Sequence, residues 1–282
     1  MSITKTRIGF TMHPLWLTGT SLKEFLAPLQ DAGLTAMEFL LDAHQREWDQ
    51  FKPLMTACAD MGLYLSFHFP YSQPYSLDGF NEKKQVPSIG ELTALLSLAQ
   101  EYCVSADTIP VIVVHGAKSK TSSRARLYAD TLAFMRWALD KFPQLLFAME
   151  NLGPAAAGEI KIADTRQEVL ALTQDLADPR VGICWDLGHD ALHHRSDLPS
   201  SQWLAKVFHV HIHDINPTGL DHFPLVYDQV PYKAWLPYIQ SSHIPGSVCL
   251  EIKGNQLRGW KIDRINRSLI ESIHWIKELL DE

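Results

Sequence analysis

Residues 181–214 read VGICWDLGHDALHHRSDLPSSQWLAKVFHVHIHD. The stretch opens on an apolar run, 181–185, that stops at Asp186. It closes on a second apolar run, 207–211, after a polar segment and a short helix candidate at 198–206. Two short buried-type strands joined by a helical connection form a βαβ unit, and the strands of such a unit run parallel. Each of these two strands delivers an ionisable side chain at its C-terminal end: Asp186 from the first, His211 from the second.

The same unit repeats outward along the chain. Further strand candidates are 7–12, 36–40, 64–69, 111–115, 145–150 and 247–252, all rich in Val, Ile, Phe and Leu as buried parallel strands are. Helix candidates follow at 21–32, 48–61, 88–102, 124–142, 165–176, 232–241 and 263–280. The first opens on the capping box Ser21 and Glu24 and stops at Gly33. Eight units predict an α/β fold, a single (β/α)8 TIM barrel. Neither GxGxxG nor GxxxxGK[ST] follows the first strand, which removes the usual nucleotide-binding reason for an open doubly wound sheet. The 282 residues fit one barrel domain over 1–282, since such a barrel takes about 250 residues. The longest polar connection, 72–87, is a candidate lid.

Composition narrows the function. The net charge is −7, from 25 basic and 32 acidic residues, whereas binders of a phosphate backbone usually carry a basic patch. Nucleic acid is therefore not the expected partner. Cys58, Cys103, Cys184 and Cys249 form no close CxxC pair and read as free thiols of a reducing cytoplasm. The opening MSITKTRIGF lacks a signal peptide's apolar core, and no apolar run is long enough to span a membrane. A cytoplasmic protein is the expectation.

The strand ends carry the chemistry. His68 lies in LSFHFPY, His115 ends VIVVH, Glu150 ends LLFAME, and Asp186 is followed by His189 in WDLGH. His211 sits in HVHIHD, Glu251 in SVCLEIK, and Glu38 takes the equivalent place in AMEFL. In a (β/α)8 barrel the C-terminal strand ends converge on one mouth, where active sites are built. Carboxylates gathered there repel one another unless a cation joins them. Glu150, Asp186, His211 and Glu251 are the expected ligands of one divalent ion. Taken singly each has a plainer reading; Asp186 alone suits a helix N-cap. His209 and His213 share a face with His211 by the period of two, and supporting roles are expected for them. His193 and His194 read as solvent-facing loop residues. An O3N ligand set suits Mn, Mg or Co, and added histidines favour Zn.

In this order and spacing, MEN at Glu150, the D-x-x-H of Asp186 and His189, HVHIHD around His211 and LEIK around Glu251 resemble the xylose isomerase-like TIM-barrel superfamily over nearly the whole chain. That group contains sugar and sugar-phosphate isomerases and epimerases, inosose dehydratases and endonuclease IV. Resemblance to its ketose epimerase branch implies that Glu150, Asp186, His211 and Glu251 hold one ion, that Glu150 and Glu251 also move the proton, and that His189 contacts substrate oxygens. Resemblance to endonuclease IV implies a second ion at His68 and His115, sharing Glu150. The histidine of that family's further Asp-x-His pair falls on His222, but Leu220 stands where the aspartate belongs and Asp221 is one residue out of register. The arginine that ketose epimerases carry after the strand-seven histidine is replaced by Ile215-Asn216-Pro217-Thr218.

The resulting expectation is a divalent-metal-dependent isomerase or epimerase of a sugar or polyol-like small molecule, with proton transfer next to a carbonyl through Glu150 and Glu251. His68, His115, His189, Glu38 and His222 are the expected substrate contacts. Phe10, His13 and Trp16 are candidates for an aromatic wall. A keto-sugar dehydratase or lyase, or an endonuclease IV-like zinc phosphodiester hydrolase, are the alternatives, and a non-catalytic sugar-binding barrel is a third. Candidates for a phosphate clamp, Lys118, Lys120, Arg195 and Lys253, are scattered along the chain. A homo-oligomer is compatible with the sequence.

Overall fold

The structure, a computed structural model, describes residues 6–12, 21–41, 45–71, 75–81, 86–103, 105, 108–240 and 244–281. Eight parallel strands form the barrel wall: β1 (Arg7–Phe10), β2 (Ala36–Leu40), β3 (Tyr64–His68), β4 (Val111–Val114), β5 (Leu146–Glu150), β6 (Val181–Asp186), β7 (Val207–Ile212) and β8 (Ser247–Leu250). They are hydrogen-bonded in the circular order β1-β8-β7-β6-β5-β4-β3-β2. A bridge between Thr11 and Glu38, with the Met12 N–H donating to the Glu38 carbonyl at 2.9 Å, brings β1 back to β2. The fold is the expected TIM barrel.

The helices are α1 (Leu22–Ala32), α2 (Gln45–Asp60), α3 (Val86–Gln100), α4 (Arg124–Lys141), α5 (Arg166–Leu176), α6 (Leu187–Leu192), α7 (Ser201–Leu204), α8 (Tyr232–Trp235), α9 (Pro237–Gln240) and α10 (Ile262–Asp281). Ser21 and Glu24 make the full capping box of α1, with Glu24 Oε2 accepting from the Ser21 N–H at 3.0 Å. The single helix expected at 232–241 is two short turns, α8 and α9. Pro237 has no N–H to continue the ladder. None of the described helices is long and apolar enough to cross a membrane.

Strand alternation sorts the core into two parts. Outward residues such as Phe39, Phe67, Phe147, Trp185 and Leu250 join the large apolar cluster between wall and helices. Inward, Val111, Val113, Ala148 and Cys184 make a small plug with Leu146 and Phe208. Above the plug the lumen turns polar, with Glu38, Ser66, His68, Glu150, Asp186, His209, His211 and Glu251 all buried. A β-bulge produces part of this. β6 and β7 pair Ile183 with Val207 but Cys184 with His209, so Phe208 is the extra residue. Phe208 lies over Gly182, where a Cβ would overlap its ring. The bulge sets His209 and His211 level with Cys184 and Asp186.

One sequence reading changes. Phe10 points outward and packs edge-on against Phe25 of α1 at 6.1 Å, so it is core and not a mouth wall. His13 and Trp16 lie outside the described residues. The candidate lid at 72–87 falls partly outside them; its described part is anchored, the Gly79 N–H donating to Asp130 of α4 at 2.7 Å and Ser122 donating to Asp78 at 2.7 Å.

Candidate active site

Strand ends deliver the four carboxylate and imidazole groups to one point. Glu150 closes β5, Asp186 closes β6, His211 is the penultimate residue of β7, and Glu251 follows β8 directly. Each offers a ligand atom, and those atoms lie within 4.8 Å of one another. All four side chains are buried. Each also holds a buried atom with no hydrogen-bond partner: Glu150 Oε1, Asp186 Oδ2, His211 Nδ1 and Glu251 Oε2. His211 Nδ1 and Glu251 Oε2 are 3.3 Å apart yet misaligned for a hydrogen bond. Unpartnered buried oxygens cost several kcal/mol in total at roughly 1–3 kcal/mol each. Three carboxylates and one imidazole, aimed together, fit a divalent cation in an O3N set.

The electrostatics agree. Burial opposes charging of Glu150 and Glu251, but neighbouring imidazoles outweigh it, His115 and His211 for the first and His222 and His211 for the second. Both carboxyls are held well below the ordinary range. Burial likewise opposes protonation of His211, yet Cys184, Glu38, Glu251 and Glu150 hold its pKa well above the ordinary value.

Buried partners orient the four groups. Glu38 was expected among the substrate contacts, but the structure seats it below His211 with no solvent exposure. Its Oε1 lies 3.1 Å from His211 Nε2, its Oε2 3.1 Å from His209 Nε2, and Ser66 donates to Oε2 at 3.2 Å. A proton on His211 Nε2 leaves Nδ1 as the lone-pair atom facing the mouth. This is the carboxylate–histidine arrangement that supports metal ligands. His209 Nδ1 in turn accepts the Ser247 N–H at 3.1 Å.

Asp186 combines the plain reading with the chemical one. Its Oδ1 caps α6, accepting the His189 N–H at 2.7 Å, and its Oδ2 stays unbonded. His213 Nε2 lies 3.2 Å from Oδ1, while its Nδ1 accepts the His222 N–H at 3.1 Å. The His213 ring occupies the space where a Cβ on Gly188 would stand, which explains glycine in the D-L-G-H turn. Asn151 bridges the two strand ends: its Oδ1 accepts the Asp186 N–H at 2.7 Å and its Nδ2 donates to the Asp186 carbonyl at 2.9 Å.

More histidines ring the mouth. His68 Nδ1 donates to the Phe69 carbonyl at 3.0 Å, so Nε2 faces Glu150 Oε2 at 3.2 Å. His115 Nε2 lies 2.9 Å from the same oxygen, and burial lowers its pKa to about 4. Tyr71 stacks on the His115 ring at 4.3 Å. His189 Nδ1 donates to the Asn151 carbonyl at 2.9 Å, which leaves Nε2 for the cavity. His222, in the left-handed region at φ 61°, is 3.2 Å from Glu251 Oε2 and 2.9 Å from Asp221 Oδ1. Asp221 thus sits beside His222, as its sequence offset suggests.

Sequence reasoning missed Asn151, Tyr71 and Lys161, all near the mouth. Asn151 stands inside the MEN motif and could have been read from it. Lys161 lies on a two-residue strand that no period reveals. Arg195, read as a phosphate-clamp candidate, is instead paired with buried Asp190 at 2.6 Å.

Comparison with known proteins places the fold. A sequence search of curated proteins finds no match. Among solved structures, a D-tagatose 3-epimerase-like protein is 17% identical, with 98% of this chain and 97% of that chain covered at TM-score 0.66. D-psicose 3-epimerase from Clostridium cellulolyticum H10, solved with D-tagatose, is 14% identical over 97% and 99% of the two chains, TM-score 0.72. D-allulose 3-epimerase from Methylomonas sp., in complex with D-allulose, is 15% identical over 97% of each, TM-score 0.68. At these identities the likeness is one of fold. The family model for the xylose isomerase-like TIM barrel matches residues 26–279, and the chain belongs to that family.

Proposed function

We propose that the protein is a divalent-metal-dependent isomerase or epimerase of a sugar or polyol-like substrate. Glu150, Asp186, His211 and Glu251 would hold the ion. One observation carries the reading: these four residues each aim an unpartnered, buried donor atom at one point. Two of the fold neighbours, D-psicose 3-epimerase and D-allulose 3-epimerase, act on sugars in the same way. When bound, such an ion acts as a Lewis acid toward a substrate carbonyl and its neighbouring hydroxyl, acidifying the C–H between them.

The chain's own groups do the rest. Glu150 and Glu251 enter from β5 and β8, on different sides of the mouth, and both stay ionised in their burial. One, as the carboxylate, removes the proton and becomes the acid; the other, having first taken a proton from water, delivers that proton to the opposite face and returns to the carboxylate, which inverts the carbon. Return to the neighbouring carbon gives isomerisation, and loss of a β-hydroxyl gives the dehydratase variant. His189 Nε2 and His115 hydrogen-bond substrate oxygens, and His222 steadies Glu251. Turnover of ketoses in D2O with Mn2+, Co2+ or Mg2+ tests the reading. Solvent deuterium should enter at the carbon beside the carbonyl, and Glu150→Gln should lower that rate by about 10²–10⁴. Full exchange by the metal-loaded variant would contradict the two-glutamate transfer.

A second reading rests on His68. Its Nε2 lies within hydrogen-bond distance of Glu150 Oε2, at 3.2 Å, and His68, Glu150 and His211 also form a candidate ligand group. A second ion there would favour phosphodiester hydrolysis, and nicking of abasic DNA by the two-ion protein would establish it.

A further inference from the structure

Three lysines that are far apart in sequence share one cavity. Lys118 follows His115 of the β4 end, Lys253 follows Glu251 of the β8 end, and Lys161 lies on the β5–α5 connection. All three line the mouth cavity together with His115, His189 and Glu251. Lys118 and Lys161 are direct partners in a short antiparallel ladder, Lys118–Ser119 against Ile160–Lys161. Like charges opposite each other on one sheet face are destabilising.

The contacts these lysines make do not neutralise them. Lys118 Nζ sits 5.1 Å from the centre of the Tyr71 ring. Lys161 Nζ donates to the Pro154 carbonyl at 3.2 Å, and Lys253 Nζ to His222 Nδ1 at 3.2 Å. Among the described residues none of the three has a carboxylate within 4.0 Å. Arg124, Arg166 and Arg195 differ: all three are paired with acids at 2.6–3.0 Å. The two acids lining the cavity, Asp221 and Glu251, both approach His222. Burial holds the Lys161 ammonium below its ordinary range; the charges of Glu159 and Asp164 oppose the effect, and those of Lys118 and Lys253 add to it.

From this convergence we infer that the substrate carries an anionic oxygen group, a phosphate ester or a carboxylate, held by Lys118, Lys161 and Lys253. The inference rests on the proposed sugar chemistry at the same site and names the class of sugar. The reacting carbonyl end goes inward to Glu150 and Glu251, and the anion stays at the outer rim. An anion there relieves the Lys118–Lys161 repulsion and receives charge-assisted hydrogen bonds. Lysines clamp it as point charges without the bidentate geometry of arginine.

Equilibrium binding tests this apart from turnover. Calorimetry on the metal-loaded protein would compare a neutral ketohexose, the same ketose as its terminal phosphate, and a ketouronate. The expected result is at least tenfold tighter binding of one anionic sugar, the phosphate or the uronate identifying the anion. Lys161→Gln, Lys118→Gln and Lys253→Gln should each remove about tenfold of that preference, and Lys161→Arg should restore most of it. Circular dichroism and melting of each variant check that it is folded. Equal affinity for neutral and anionic sugars would overturn the inference. So would an anion preference that all three Gln variants keep, since the anion would then be held by the metal. Sugar binding without deuterium exchange would sink the isomerase reading and leave the lysine clamp standing.

Discussion

Glu38 shows how a single residue is misread without a structure. Its place in AMEFL matches the strand-end rule, and the rule makes it a rim residue. Register decides otherwise: Glu38 pairs with Ser66, two residues before His68, and so sits one layer deeper than the mouth. Its Oε2 lies 3.3 Å from His211 Nε2, where it would fix the ring proton. Glu38→Gln keeps the shape and removes the charge. Metal affinity measured by calorimetry should fall about 10–100-fold, the usual effect of removing a partner of a ligand histidine. Activity should return at high metal concentration. Unchanged affinity would mean that Glu38 does not set the His211 tautomer. The four proposed ligands were legible because each ends an apolar run, a pattern that survives without contacts. His209 and His213 were legible as supports only, because period two gives a face and not a depth.

At the scale of elements, strands were easier to read than helices. All eight strands lie where the apolar runs predict, within a residue or two at the ends. The segment after β6 was harder, since 198–206 carries only α7, while α6 begins at Leu187 directly behind Asp186. A six-residue helix has no periodic stripe to detect. α6 is held by a buried acid instead. Asp190 Oδ2 accepts from Trp185 Nε1 at 2.8 Å and Arg166 Nε at 2.7 Å, and Oδ1 from Arg195 at 2.6 Å. This cluster positions His189 one residue earlier and, through the Asp186 cap, the β6 ligand. Asp190→Ala leaves two guanidinium groups without their shared acid and should destabilise the protein by about 3 kcal/mol. The denaturant midpoint should drop at unchanged slope, and turnover should fall with it. A midpoint shift below about 1 kcal/mol would show that α6 is held by other contacts. Lys118 and Lys253 were read as clamp candidates, but Lys161 and its convergence with them were not, because the ladder joining Lys118 to Lys161 is two residues long on each side.

For the whole molecule, the barrel has traded apolar filling for charge in its upper lumen. The inner plug contains few apolar side chains, and the layer above it holds the buried glutamates, aspartate and histidines. The proposed cation would link stability to its own binding. At a metal concentration a hundred times its Kd the native state gains about 2.7 kcal/mol, a rise of roughly 5–10 °C in Tm. A melting temperature indifferent to Mn2+, Co2+ or Zn2+ would argue against the linkage. The most direct test is the metal content of the purified, metal-loaded protein by inductively coupled plasma mass spectrometry, alongside His211→Ala. One equivalent of a divalent ion in the unaltered protein, lost in the variant, is the predicted result. No retained ion, or one equivalent that persists in His211→Ala, would contradict a site built from Glu150, Asp186, His211 and Glu251.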